Sequence, residues 1–132
     1  MRVEVPGVPI PQGSMRAVVA RDGTPRVFGD NPQTRPWREL VAWAARQVWV
    51  GAPTPAAVEV RIGFVMPRPK SARRKRPTVK PDLDKLVRAC LDALTGVVWV
   101  DDAQVVSVMA SKRYVNAAEP EPGAVIIVEV IE

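Results

Sequence analysis

The sequence predicts a mixed α+β sandwich: a small mixed sheet covered by two main helices. Three observations carry this. Val58, Val60, Ile62 and Phe64 alternate with Glu59, Arg61 and Gly63, the period of a half-buried strand. Two segments, 34–48 and about 82–94, repeat apolar residues at helical spacing. The last segment, Ala124 to Ile131, is rich in Val and Ile and predicts a final strand.

The remaining elements follow in chain order. Arg2 to Val5 reads as a short strand, ended by a turn rich in Pro and Gly at Pro6, Gly7, Pro9 and Pro11. Val18 to Ala20 and Pro25 to Phe28 flank Asp22-Gly23 and predict a hairpin. Thr34 is the expected cap of the first helix, whose apolar residues are Trp37, Leu40, Val41, Ala44 and Val48, and Gly51, Pro53 and Pro55 end it. Residues 66–80 form a break with three prolines, seven Lys or Arg and no acidic residue, which predicts a mobile basic loop. In the second helix Leu83, Leu86, Val87, Cys90, Leu91 and Leu94 share one arc, so Cys90 is expected buried and inert. Asp84, Lys85, Arg88 and Asp92 share the other, where Arg88 and Asp92 suit a local ion pair. Gly96 stops this helix. Val97 to Val100 is then expected as a buried strand leading into Asp101-Asp102, with a longer strand from Val105 to Tyr114. Trp37, Trp43 and Trp49 are expected in the core or at a dimer contact.

Composition narrows the chemistry. The chain has 132 residues, expected to form one domain spanning 1–132. Nineteen Lys and Arg against 14 Asp and Glu give a net charge of +5, which suits a polyanionic partner. There is one Cys and no His. That excludes an internal disulfide, Ser-His-Asp and Cys-His triads, and His-ligated zinc. A protein-built metal site must use oxygen ligands, which favours Mg²⁺, Mn²⁺ or Ca²⁺. The first residues lack the apolar core of a signal peptide, and no apolar run approaches the ~18 residues of a membrane span. A soluble cytoplasmic protein is the expectation.

The chemistry-bearing stretch is Lys80-Pro81-Asp82-Leu83-Asp84, followed by the second helix and Asp101-Asp102. Pro81 disfavours a helical Lys80 and sets both aspartates at a helix entry. Residues two apart in extended chain point the same way, so Asp82 and Asp84 can share a cation. A strand returning beside the helix start would bring Asp101-Asp102 to the same point. Carboxylates gathered without compensation repel one another, and a divalent cation removes that cost. Beside a basic loop, such an ion points to phosphodiester hydrolysis. Single readings compete with this: Asp82 or Asp84 as a helix cap, and Asp101-Asp102 as an ordinary turn.

The series Lys80-Pro81-Asp82-Leu83-Asp84-Lys85-Leu86, Leu91-Asp92-Ala93-Leu94-Thr95-Gly96 and Asp101-Asp102-Ala103-Gln104-Val105, with Lys112 after it, resembles the RusA family of Holliday-junction resolvases. The close match covers about a quarter of the chain. Weaker similarity reaches Pro9, Pro11, Trp37 and the last strand. The resemblance implies a small homodimeric endonuclease, bacterial or phage-encoded, that uses Mg²⁺ or Mn²⁺ and cuts two opposed strands of a four-way DNA junction in recombination and repair. It implies Asp82, Asp84 and Asp102 as metal ligands, with Asp101 the lesser candidate. The family's helical lysine falls on Arg88, which stays charged and clamps phosphate but shuttles no proton. Lys85 stands where the family usually has asparagine and is a candidate for the missing ammonium. Lys112 is a candidate for the scissile phosphate. Arg73, Arg74, Lys75, Arg76, Lys80 and, with Arg26, Arg16 are candidate DNA contacts. A less selective flap or fork nuclease and a non-catalytic protein that binds branched DNA are the alternatives.

Overall fold

A computed structural model describes residues 1–13, 16–28 and 31–131; the side chains of 16–18 and 26–28 lie outside the described set, and with them the expected contacts of Arg16 and Arg26. The fold is the expected mixed α+β arrangement. Strands β1 (Arg2–Pro6), β6 (Gly123–Ile131), β4 (Ala57–Met66) and β5 (Val105–Tyr114) lie side by side in that order. β6 runs antiparallel to both its neighbours, whereas β5 runs parallel to β4. Helices α1 (Thr34–Val48) and α2 (Leu83–Leu94) pack on one face. The predicted hairpin forms as β2 (Arg16–Val19) and β3 (Pro25–Phe28). Its turn is held by Thr24, whose N–H and hydroxyl both donate to the Asp22 carboxylate.

The alternation in β4 decides which face is covered. Val58, Val60, Ile62 and Phe64 are buried, and they meet Val3, Val5, Ile126 and Val128 from the neighbouring strands. On the opposite face Arg2, Glu4, Arg61 and Glu129 are exposed, so that side of the sheet tolerates water. In α2, Leu86, Ala89, Cys90, Ala93 and Leu94 are buried. Burial pushes the Cys90 thiol up to about 12, against a weaker opposing pull from the Trp37 indole N–H, so this sulfur is inert at neutral pH.

Three local expectations are corrected. Gln33, not Thr34, occupies the N-cap of α1; Thr34 is the first helical residue, and its hydroxyl donates to the Pro11 carbonyl at 2.8 Å. At the far end of α1, Val48 is 46% exposed and Ala45 takes the buried place. Val97 to Val100 is a turn rather than a strand. The Val97 and Val98 N–H groups both donate to the Leu94 carbonyl, and Gly96, at φ +86°, donates to Trp99. The left-handed backbone at Gly96 reverses the chain at once. Within the run Val98 and Trp99 are buried, Trp99 plugging the core with its indole N–H on the Thr95 hydroxyl at 2.9 Å, while Val100 is exposed. A short apolar run does not by itself distinguish these outcomes. Trp37 is a core residue, and Trp43 stands 58% exposed on α1.

Candidate metal and nucleic-acid site

Asp82 holds the N-cap position of α2 in extended conformation, yet its carboxylate makes no capping hydrogen bond. A capping role therefore does not account for this aspartate. Asp84 follows in the first helical turn, where the positive end of the helix favours it, and it is exposed. The turn before them is pinned from the sheet. Lys112, level with Phe64 in the β4–β5 pair, donates to the carbonyls of Val79 and Pro81 at 2.7 and 2.8 Å. Lys112 thus holds the backbone that presents Asp82. Lys85 and Arg88 lie further along α2, and the Lys85 carbonyl accepts the Gln12 N–H at 2.9 Å.

The second aspartate pair is divided by function. Asp101 caps a 3-10 turn, Asp102–Gln104, accepting the Ala103 N–H at 2.9 Å. Gln104 completes the turn. Its Oε1 accepts from the Val100 and Asp101 N–H groups, and its Nε2 donates to the Thr54 and Ala56 carbonyls at 2.7 Å each. Asp101 is therefore committed to the backbone, while Asp102 beside it is exposed, with no hydrogen bond or ion pair to its carboxylate among the described residues.

Asp92 shows what surrounds Asp102. Burial raises its carboxyl above the ordinary value; Arg38 opposes this, Asp102 adds to it, and Arg88 opposes it more weakly. The nearest cation is Arg38 of α1, at 3.9 Å. The expected local pair with Arg88 is thus replaced by a bridge between helices. Asp102 and Asp92 share one electrostatic neighbourhood near the C-terminal half of α2.

That placement separates the aspartates. Lys112, near the end of β5, touches Pro81 at the start of α2, whereas Asp102 precedes β5 altogether. The 12 residues of α2 span about 18 Å, and the seven steps from Val105 to Lys112 span roughly 23 Å. The expected strand returning to the helix start does not form, so Asp102 stays at the far end. Accordingly, among the described residues no group of three or more Asp, Glu or Cys side chains stands close enough to hold a cation.

The basic loop lies against the Asp82 end. Arg73, Arg74, Lys75, Arg76 and Lys80 are exposed. Arg74 donates to the Tyr114 hydroxyl at 2.9 Å, and the Arg68 guanidinium lies 5.4 Å from the centre of the same ring. Tyr114 and Gln104 escaped the sequence reading as functional positions. The signal for Gln104 was present, since an Asp three residues before a Gln is a capping-box pattern; nothing local marked Tyr114.

The family model described as Endodeoxyribonuclease RusA matches residues 6–129. A Bacillus subtilis (strain 168) protein, named as uncharacterized protein YqaN, is 30% identical over 129 residues, covering 86% of this chain and 87% of its own.

Proposed function

The chain belongs to the RusA endodeoxyribonuclease family, and from that premise we propose that it resolves four-way DNA junctions as a homodimer dependent on Mg²⁺ or Mn²⁺. One observation carries the reading: Asp82 stands at a helix cap it does not serve, and Asp102 is left exposed beside an aspartate that does serve one. Asp82, Asp84 and Asp102 are the proposed ligands. Their donors are all oxygens and exposed, which fits a hard cation and leaves the carboxylates able to turn toward it. When bound, the ion supplies a water of lowered pKa and charge for the leaving oxygen.

Because α2 separates Asp82 and Asp84 from Asp102, one chain does not complete this ligand set. A second copy does so if the two β5 strands pair. β5 is the sheet's edge, and Val106, Met109 and Val100 beside it are 62%, 67% and 59% exposed. Long apolar edges of this kind are normally covered. Antiparallel pairing about a two-fold axis sets the start of one strand beside the end of the other. One copy's Asp102 is thereby carried toward its partner's Asp82 and Asp84, and two such sites suit two opposed cuts.

The remaining residues bind and orient. Arg88 clamps a phosphate oxygen, and Lys85 offers an ammonium one helical turn from Asp82. Lys112 positions the Asp82 turn through its two carbonyl partners. Arg73 to Arg76 and Lys80 hold the phosphate backbone without reading sequence.

The test is cleavage of end-labelled four-way junctions, flaps and linear duplex. Paired nicks in junctions are expected with Mg²⁺ or Mn²⁺ and none with EDTA. Asp84→Asn should lower the rate by at least about two orders of magnitude while junction binding persists. Unselective single cuts would leave a flap or fork nuclease, and tight binding without cutting in either metal would leave a binding protein.

A further inference from the structure

Beside Asp82 the surface opens into a cleft of about 570 Å³, within the size range of sites for small organic groups. One wall is the N-terminal loop, with Pro9, Ile10 and Pro11; the other is the basic loop, with Pro69, Pro77 and Val79. Asp82, Lys85 and Lys112 line the same cleft, so an apolar slot adjoins the proposed metal ligand Asp82 and the lysine that holds its turn. The slot is preformed. Proline fixes much of its backbone. The Gln12 N–H is bonded to the Lys85 carbonyl, the Thr34 hydroxyl to the Pro11 carbonyl, and Lys112 to Val79 and Pro81.

Gln12 supplies the second observation. It lines the cleft, and its Oε1 is buried with no hydrogen-bond partner among the described residues. A buried acceptor left unmet is uncommon, because desolvation goes uncompensated. A flat, mostly apolar group with an N–H on its edge fits the slot, and turning the Gln12 amide toward it would give this oxygen a partner. With a phosphodiester held at Asp82, the part of DNA that fits this description is a nucleobase. Unstacking is cheapest where pairing is already disturbed, as at a strand crossover.

We infer that the cleft captures the unstacked base of a nucleotide next to the scissile phosphate and reads its edge N–H through Gln12. This rests on the nuclease reading and adds a source of sequence preference to it.

The inference is tested on a four-way junction carrying 2-aminopurine singly at each nucleotide around the crossover, bound to the Asp84→Asn protein so that nothing is cut. Fluorescence should rise at one position. Adding Val79→Trp, an exposed-loop change that fills the slot, should abolish the rise while binding persists. With the wild-type active site, an abasic residue at that position should slow cutting about tenfold, and Val79→Trp should cut intact and abasic junctions equally. Gln12→Leu should flatten rate differences between junctions that differ only in that base. Quenched fluorescence at every position, a rise unchanged by Val79→Trp, or no abasic effect overturns the inference. If the wild type binds junctions but never cuts them, the nuclease reading falls and the fluorescence result alone decides for or against the cleft. Failure to bind junctions overturns both.

Discussion

Gln104 meets four backbone groups at once, two N–H donors and two carbonyl acceptors, and so fixes the turn that bears Asp102 to the chain just before β4. Glutamine alone offers a donor and an acceptor at that reach. Gln104→Ala leaves these groups to water and is expected to destabilise the fold by about 1–3 kcal/mol. A purely structural loss would lower the amount of folded protein and nothing else. A positioning role predicts more: the folded variant should need a higher Mg²⁺ concentration for half-maximal junction cleavage, while its binding of junctions without metal matches the wild type. An unchanged Mg²⁺ requirement would reduce Gln104 to a stabilising residue.

Among the elements, the link between β5 and β6 is closed by side chains of its own neighbourhood. The Asn116 side chain accepts from the N–H groups of Ala118 and Glu119 at 2.8 Å, and the Arg113 guanidinium grips both Glu119 oxygens at 2.5 Å. That fork holds the Glu119 carboxyl below its ordinary value of 4.5. A lowered pKa stabilises the fold at pH values above 4.5, and the gain is lost as pH falls through the depressed value. Both side chains are more than a third exposed, so solvent limits the contribution to about 0.5–1 kcal/mol. Glu119→Gln should therefore be less stable by that amount at pH 7 in denaturant unfolding, with the two curves converging in acid. A difference that persists in acid would assign the effect to packing instead. At this link the strands also approach closely: a Cβ on Gly123 would stand 2.7 Å from the Val5 carbonyl oxygen. Elements with a burial period, such as β4 and α2, were legible in the sequence because alternation states which face is covered. Val97 to Val100 was not, because a run apolar at every position carries no period, and the left-handed turn at Gly96 made it a plug.

At the scale of the whole molecule, the aspartates were legible as residues but not as a placement. Nothing local says that β5 pairs with β4 in parallel, and that long-range pairing is what leaves Asp102 a helix length from Asp82. A site within one chain and a site shared by two copies make opposite predictions when inactive variants are mixed. In a dimer of one Asp84→Asn chain and one Asp102→Asn chain, shared sites place both substitutions in one site and leave the other whole. If each site lies within one chain, both sites are broken. Each variant alone should be inactive. Co-folding them in equal amounts makes half the dimers mixed, so about a quarter of the wild-type sites are restored. Their product should be single nicks rather than paired cuts, because each mixed dimer has one working site. Charges that spoil the β5 edge, such as Val106→Lys with Met109→Lys, should leave the chain folded and monomeric in sedimentation and remove this recovery. Failure of the mixture to nick, with stable mixed dimers demonstrated, would return the metal ligands to a single chain and require α2 to move relative to β5.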